Sequence, residues 1–459
     1  MAAAPTDLDL ARRDIVQQLE ALPLSRAHLK TMLIAGFGPF FEAFDQQNIV
    51  YVLPALLAPF GLSATQAGLI AGSGLYGMAL GCLVAGPLAD RLGRKRMFQY
   101  FLLWFTAWSG VCALAWDLTS MAAIRFVLGI GLGGELPVGV ALISELLPRS
   151  GRRLLPVYQS FFGFGQLAAA GVSLLLVPSS PLGWRFVFVV GLAPVLHAAI
   201  LRRKLPESAR WLAHKGRIDE ARRAVEALKE ARASGGLERG EARAEPTPEL
   251  TRSLDRTYGP LDLFRGTWAR RTLVNVVYWL VSWLAAGAFA LLYVYLAGQG
   301  FSLQSTLTFG LVSTLASVPG YWASAYLIER IGRKPTLSAY ALLAAVGYWA
   351  VVRAVDPAGL AASLLVINFC TIGAIGAAYT YLAEQYPTAI RATATAWVNV
   401  VGRLALASGA VVVGALTDLI GPQNAFSVSA VLFVLAGLVV MLFGIETRGK
   451  SLEEIQALS

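Results

Sequence analysis

Twelve mostly apolar runs, near residues 31–59, 64–89, 97–116, 120–147, 154–177, 184–201, 270–297, 304–329, 335–355, 359–386, 392–416 and 424–444, leave this chain little choice of solvent. A hydrocarbon core of about 30 Å is crossed by roughly 20 helical residues, and every run is long enough to do so. Lipid offers backbone groups no hydrogen-bond partners, so each run is predicted to be a helix that satisfies its own N–H and C=O groups. The composition agrees: 56% of the 459 residues are hydrophobic and 14% charged, against about 25% charged in a soluble domain. The expected class is an all-α membrane protein. Its +10 net charge fits the basic loops of a membrane protein better than a nucleic-acid partner, and none is expected. Cys82, Cys112 and Cys370 stand singly in apolar runs and the histidines are scattered, so neither a metal nor another cofactor is expected.

Basic residues fall in alternate connections: the amino-terminal segment, Arg91–Arg96, Arg149–Arg153, the stretch 202–271, Arg330–Lys334, Arg391 and the carboxyl tail. The intervening connections carry almost none, Arg353 being a mild exception, and the positive-inside bias puts both termini in the cytoplasm. Five segments follow. Residues 1–30, with Leu8, Ile15, Leu19 and Leu22 at helical spacing, are expected to form an amphipathic helix on the cytoplasmic membrane surface. Residues 31–201 form a first bundle of six helices, 202–269 a cytoplasmic linker with short helices, 270–445 a second six-helix bundle, and 446–459 a cytoplasmic tail. The bundles repeat one another. Gly93-Arg94-Lys95 returns as Gly332-Arg333-Lys334, and Glu145 and Arg152 return as Glu384 and Arg391, each 239 positions later. Parallel repeats of this kind enclose a cavity near the membrane midplane.

Ionisable residues inside the spans point to what lines that cavity. A charge at the bilayer centre costs at least about 2.5–3.5 kcal/mol, so it is seldom kept without a use. Glu42, Asp45 and Gln46 share one face of the first helix, near its middle. Arg125 and Glu135 lie in the fourth span. Arg403 lies about 17 Å along the eleventh, near the midplane, where it needs an acidic helix partner or an anionic substrate. Glu42, Asp45 and Glu135 are the acidic candidates. The seventh span supplies Tyr278, Trp279 and Trp283, wide aromatic faces suited to a planar or apolar substrate.

Gly86-Pro87-Leu88-Ala89-Asp90-Arg91-Leu92-Gly93-Arg94-Lys95-Arg96 resembles the loop signature of the major facilitator superfamily. Ala325, Glu329, Arg330, Gly332, Arg333 and Lys334 echo it in the second half. Arg125 to Gly133 resembles the fourth-helix motif of proton-coupled members. The pairs Glu145–Arg152 and Glu384–Arg391 resemble paired motifs at the cytoplasmic ends of helices 4 and 10, while Pro206–Leu212 and Glu446–Ile455 resemble sugar-porter signatures. The wording around Glu135 and the Phe41–Asp45 stretch narrow the likeness to the metabolite:proton symporter branch. That branch includes bacterial niacin transporters and relatives of synaptic vesicle glycoprotein 2.

The resemblance implies twelve transmembrane helices in two pseudo-twofold-related bundles with alternating access between them. It also implies a secondary transporter rather than an enzyme. The reading that follows is a proton-coupled importer of a small aromatic or heteroaromatic monocarboxylate, nicotinate favoured, working as a monomer in a bacterial inner membrane. Asp45 with Arg125, and nearby Glu42 and Glu135, are expected to couple protons. Arg403 is expected to hold the substrate carboxylate, with Tyr278, Trp279, Trp283, Gln166, Gln46, Asn399 and Tyr379 as further substrate contacts. Gly86, Asp90, Arg91, Gly93, Arg94, Glu145, Arg152, Glu329, Arg330, Arg333, Glu384 and Arg391 are expected at the cytoplasmic gate. A proton-coupled sugar carrier and a membrane protein that binds or senses without transporting are the alternatives.

Overall fold

The computed structural model describes residues 7–22, 25–147, 155–204, 207–233, 263–265, 268–386 and 388–448. Arg152 therefore lies outside the described residues, as does the linker stretch 234–262. Among those described there is no strand, and the chain is the all-α, twelve-crossing protein that its apolar runs imply. A short helix α1 (Asp7–Ala21) precedes the first bundle: α2 (Arg26–Phe60), α3 (Ala64–Leu92), α4 (Arg94–Cys112), α5 (Leu118–Leu146), α6 (Leu155–Leu176), and α7 (Gly183–Val190) with α8 (Pro194–Lys204) as one broken crossing. The linker contributes α9 (Ala209–His214) and α10 (Ile218–Ala233). In the second bundle α11 (Trp268–Ala286) with α12 (Phe289–Gly298), and α13 (Leu303–Thr314) with α14 (Ser317–Arg330), are also broken crossings. The remaining crossings are α15 (Arg333–Val351), α16 (Pro357–Glu384), α17 (Thr388–Ile420) and α18 (Pro422–Phe443). Among the described residues, eight helical units are by themselves long and apolar enough to span a membrane.

An even number of crossings brings both ends to one face, called here the terminal face. Turns at the far face are marked by local chemistry. Gly61 takes a left-handed conformation after α2, and Ser63 and Gln66 cap α3 reciprocally. Asp117 accepts from the Ser120 amide to begin α5, and the Ser120 hydroxyl and amide hold the Asp117 carboxyl below its usual range. Outward surfaces carry exposed Trp104, Leu175, Leu196, Trp322, Val346 and Leu442, as a lipid-facing belt requires.

The amino-terminal segment is helical, but its apolar face is used differently from expectation. Ile15, Leu19 and Leu22 are buried against Trp211, Leu212, Ala221 and Val225 of α9 and α10, and Leu8 alone of the four is exposed. Arg12 ties this unit together by donating to the carbonyls of Ala213 and His214. The linker helices offer an apolar surface closer at hand than lipid, and the helix covers that.

Candidate functional site

Asp45 and Arg125 meet in the interior of the first bundle. Arg125 Nη1 lies 3.0 Å from Asp45 Oδ2, and both side chains are almost fully buried. The same nitrogen reaches the Asp45 carbonyl at 3.3 Å, and the Ser109 hydroxyl of α4 donates to the other carboxylate oxygen. Ser109 stands against Gly191, at the break between α7 and α8, where a side chain would collide with it. Sequence reasoning missed Ser109, because a serine in an apolar helix more often bonds its own backbone.

Arg403, close to the middle of α17, is buried and reaches across to the first bundle. Its Nη2 lies 3.6 Å from Glu42 Oε1, and its Nη1 lies 3.4 Å from Met78 Sδ on α3. Glu42 is thus its acidic partner of the three candidates. Glu135 has no cation at hydrogen-bond distance among the described residues; its carboxylate fills the space left by the missing side chain of Gly38.

These groups border a cavity of about 200 Å³ between the bundles. Arg403, Arg125, Gln46, Gln166, Tyr278, Trp283 and Tyr379 line it, as does Tyr321 of α14, which sequence reasoning did not single out. Asp45, Glu42 and Glu135 lie behind this wall rather than in it. Trp279 departs from its expected place. It is fully buried behind Trp283, stacked on it at 5.3 Å and 9°, with Tyr379 edge-on at 5.0 Å. Two residues four apart share a helix stripe, and the rotation of α11 lets only Trp283 face the cavity. Gly402 makes room for that stack, since a Cβ there would come within 2.7 Å of the Trp279 ring. Asn399 also stands one step back, accepting from the Tyr379 hydroxyl at 2.8 Å. Gln46 donates to Met78 Sδ at 3.7 Å, while the Gln166 amide oxygen has no partner among the described residues.

The expected gate residues form two matching clusters at the terminal face. Arg94 meets Asp90 at 2.6 Å and Glu145 at 3.5 Å; Arg333 meets Glu329 at 2.9 Å and Glu384 at 2.8 Å. A third repeat, missed in the sequence, completes the likeness. Glu207 accepts from the Lys95 amide at 2.9 Å, and Glu446, again 239 positions on, accepts from the Arg333 and Lys334 amides at 3.0 Å each. Gly93 and Gly332 have φ of 107° and 103°, which their bends require. At Gly86 a side chain would meet nothing within 4 Å. Arg91 is exposed, Arg330 lies over the Tyr326 ring at 5.3 Å, and the Arg391 side chain is outside the described residues.

The chain matches the family model described as "Sugar (and other) transporter" over residues 29–458. It is 34% identical to the niacin transporter NiaP of Acinetobacter baylyi, covering 96% of this chain and 99% of that one. It is 30% identical to the 4-hydroxybenzoate transporter PcaK of Pseudomonas aeruginosa, covering 87% and 88%. The inward-open xylose transporter XylE of E. coli superposes with a TM-score of 0.74 at 23% identity, over 94% of this chain and 99% of that one. A family match across both bundles, together with relatives that align almost end to end, makes this a multi-pass membrane transporter that belongs to the sugar (and other) transporter family of the major facilitator superfamily.

Proposed function

We propose that the protein imports a small aromatic or heteroaromatic monocarboxylate with protons, nicotinate being the favoured substrate. It does so as a monomer in a bacterial inner membrane, with both termini cytoplasmic, by alternating access of its two bundles. Arg403 is the observation that carries this reading: a buried guanidinium at the midplane faces a cavity walled by Tyr278, Trp283, Tyr321 and Tyr379. A cavity of about 150 Å³ accepts benzene, so about 200 Å³ suits one ring bearing a carboxylate. Arg403 binds that carboxylate by charge-assisted hydrogen bonds, the aromatic side chains flank the ring, and the Gln166 amide meets its polar edge. Relatives named for niacin and 4-hydroxybenzoate support an aromatic acid over a sugar.

Proton coupling is assigned to Asp45. While Arg125 is beside it the carboxylate is balanced; once the helices part the two, a proton is what can neutralise it in low dielectric. Proton occupancy is thereby linked to which side of the cavity is open. Proteoliposomes with an inward proton gradient are expected to accumulate labelled nicotinate, and Asp45→Asn to abolish accumulation while sparing exchange. Arg403→Ala is expected to weaken nicotinate binding about tenfold or more, as loss of a hydrogen bond to a charged group implies, with little effect on nicotinamide. Equal losses for acid and amide would make Arg403 a structural residue, and intact accumulation in Asp45→Asn would remove Asp45 from coupling.

A further inference from the structure

Two carboxylates remain without a use in this scheme. Glu42 and Glu135 are fully buried, and none of their four carboxylate oxygens has a hydrogen-bond partner among the described residues. Buried charged oxygens are rarely left so, because the missing bonds are costly. Glu135 lies against Gly38, one helical turn before Glu42 on α2. The titratable and charged groups around them are Arg403 from α17, Tyr158 from α6, Cys82 from α3 and Tyr379 from α16. The Tyr158 hydroxyl is itself buried and has no partner among the described residues. Asp45 is already engaged by Arg125 and Ser109. Arg403 lines the cavity while the carboxylates do not, and its 3.6 Å approach to Glu42 is longer than a hydrogen bond.

We propose that Glu42 and Glu135 form a second proton site, separate from Asp45–Arg125, which a substrate carboxylate loads by taking Arg403 away from Glu42. This rests on the assignment of Arg403 to the substrate carboxylate. Charge counting shows how the exchange works. With both carboxyl groups ionised, Arg403 leaves one excess negative charge, and one proton shared between the two carboxyls balances it. When the substrate anion occupies Arg403, Glu42 loses its counter-charge and the pair takes one further proton from solution. The Glu42 carboxylate becomes a carboxylic acid, and its new O–H has an acceptor in Glu135. One anion and one proton thus enter together, and the site stays neutral. A neutral amide leaves Glu42 on Arg403 and brings no proton.

Purified protein in weakly buffered solution with a pH indicator tests this directly. Nicotinate binding is expected to take up about one proton per ligand, and nicotinamide binding none. In Glu42→Gln the uptake on nicotinate binding falls to near zero. The acid then binds about three- to tenfold more tightly at pH 8, because the competing internal partner is gone. Nicotinate binding without proton uptake in the unaltered protein, or undiminished uptake in Glu42→Gln, overturns the second site. If Glu42→Gln does not fold, Asp45→Asn decides instead: about one proton per nicotinate is still taken up if Glu42 and Glu135 are the site, and loss of that uptake overturns it. Failure of nicotinate and benzoate alike to bind at any pH overturns the substrate reading instead, and the second site with it.

Discussion

Arg125 and Asp45 differ in what each leaves behind when its partner is removed. Breaking a buried ion pair by deleting one side costs about 3–5 kcal/mol, because the survivor is an uncompensated charge. In Arg125→Ala the survivor is a carboxylate, which a proton from solution can neutralise. In Asp45→Ala it is a guanidinium, which has no neutral form in proteins. Arg125→Ala is therefore expected to lose several kcal/mol at pH 8 and much less at pH 5, whereas Asp45→Ala loses a similar amount at both. Thermal unfolding of the detergent-purified variants at the two pH values checks this; parallel behaviour would mean that the Asp45 carboxylate left behind takes up no proton between them. The existence of these charges was legible in the sequence, since an ion in an apolar run announces itself by its cost. Their pairing was not. Asp45 and Glu42 lie three residues apart on α2, yet one meets Arg125 of α5 and the other Arg403 of α17. Which acid finds which base is set by how the helices cross, and spacing along one helix does not carry that.

At the scale of elements, the crossing of α3 with α17 holds the far face together. Gly68 and Gly72 of α3 lie against backbone carbonyls of Ala410 and Ala407, and Gly414 of α17 lies against that of Ala64. Without side chains at these points the helices approach to backbone contact, the usual way for membrane helices to associate closely. A Cβ at Gly72 would come within 2.7 Å of the Ala407 oxygen, so a larger side chain must move one helix. Gly72→Leu is accordingly expected to part α3 from α17 and open the far face. A cysteine placed at Ser408, whose hydroxyl shares a 3.0 Å hydrogen bond with Tyr76, then reacts with an impermeant maleimide faster from that side. Unchanged reactivity would show that the crossing is not the seal. The signal for this interface was present in the sequence as glycines four apart, at 68 and 72, 77 and 81, and 129 and 133. Pairing each with its neighbour required three dimensions: Gly77 meets α5, not α17. The extent of the spans, by contrast, needed only apolar length, which is why the twelve crossings were legible.

Across the whole molecule, the bonds within bundles and the bonds between them are segregated. The cluster of Asp90, Arg94 and Glu145 belongs entirely to the first bundle, and that of Glu329, Arg333 and Glu384 entirely to the second. Each braces the terminal ends of its own helices and leaves the other bundle free. Among the described residues, the hydrogen bonds that join the bundles, Arg403 to Met78, Tyr51 to Thr314, Tyr76 to Ser408, and Thr65 and Ala64 to Asp418, lie from the midplane to the far face. Such a distribution lets each half move as a unit about the cavity, and movement that exposes the cavity to the far side must break the Thr65–Asp418 contact. Its geometry allows a direct trial: Asp418 Oδ2 lies 2.5 Å from the Thr65 hydroxyl and 2.9 Å from the Thr65 amide. Cysteines at both positions, Thr65→Cys with Asp418→Cys, are expected to oxidise to a disulfide that holds the far face shut. Uptake into proteoliposomes should then vanish and return on reduction, while nicotinate still raises the unfolding temperature, because neither Thr65 nor Asp418 lines the cavity and the disulfide leaves its lining intact. Uptake that persists with the disulfide intact would place the moving contact elsewhere. The far end of α3 and α17 would then be a fixed hinge, and the bundles would have to part along α6 and α13 instead.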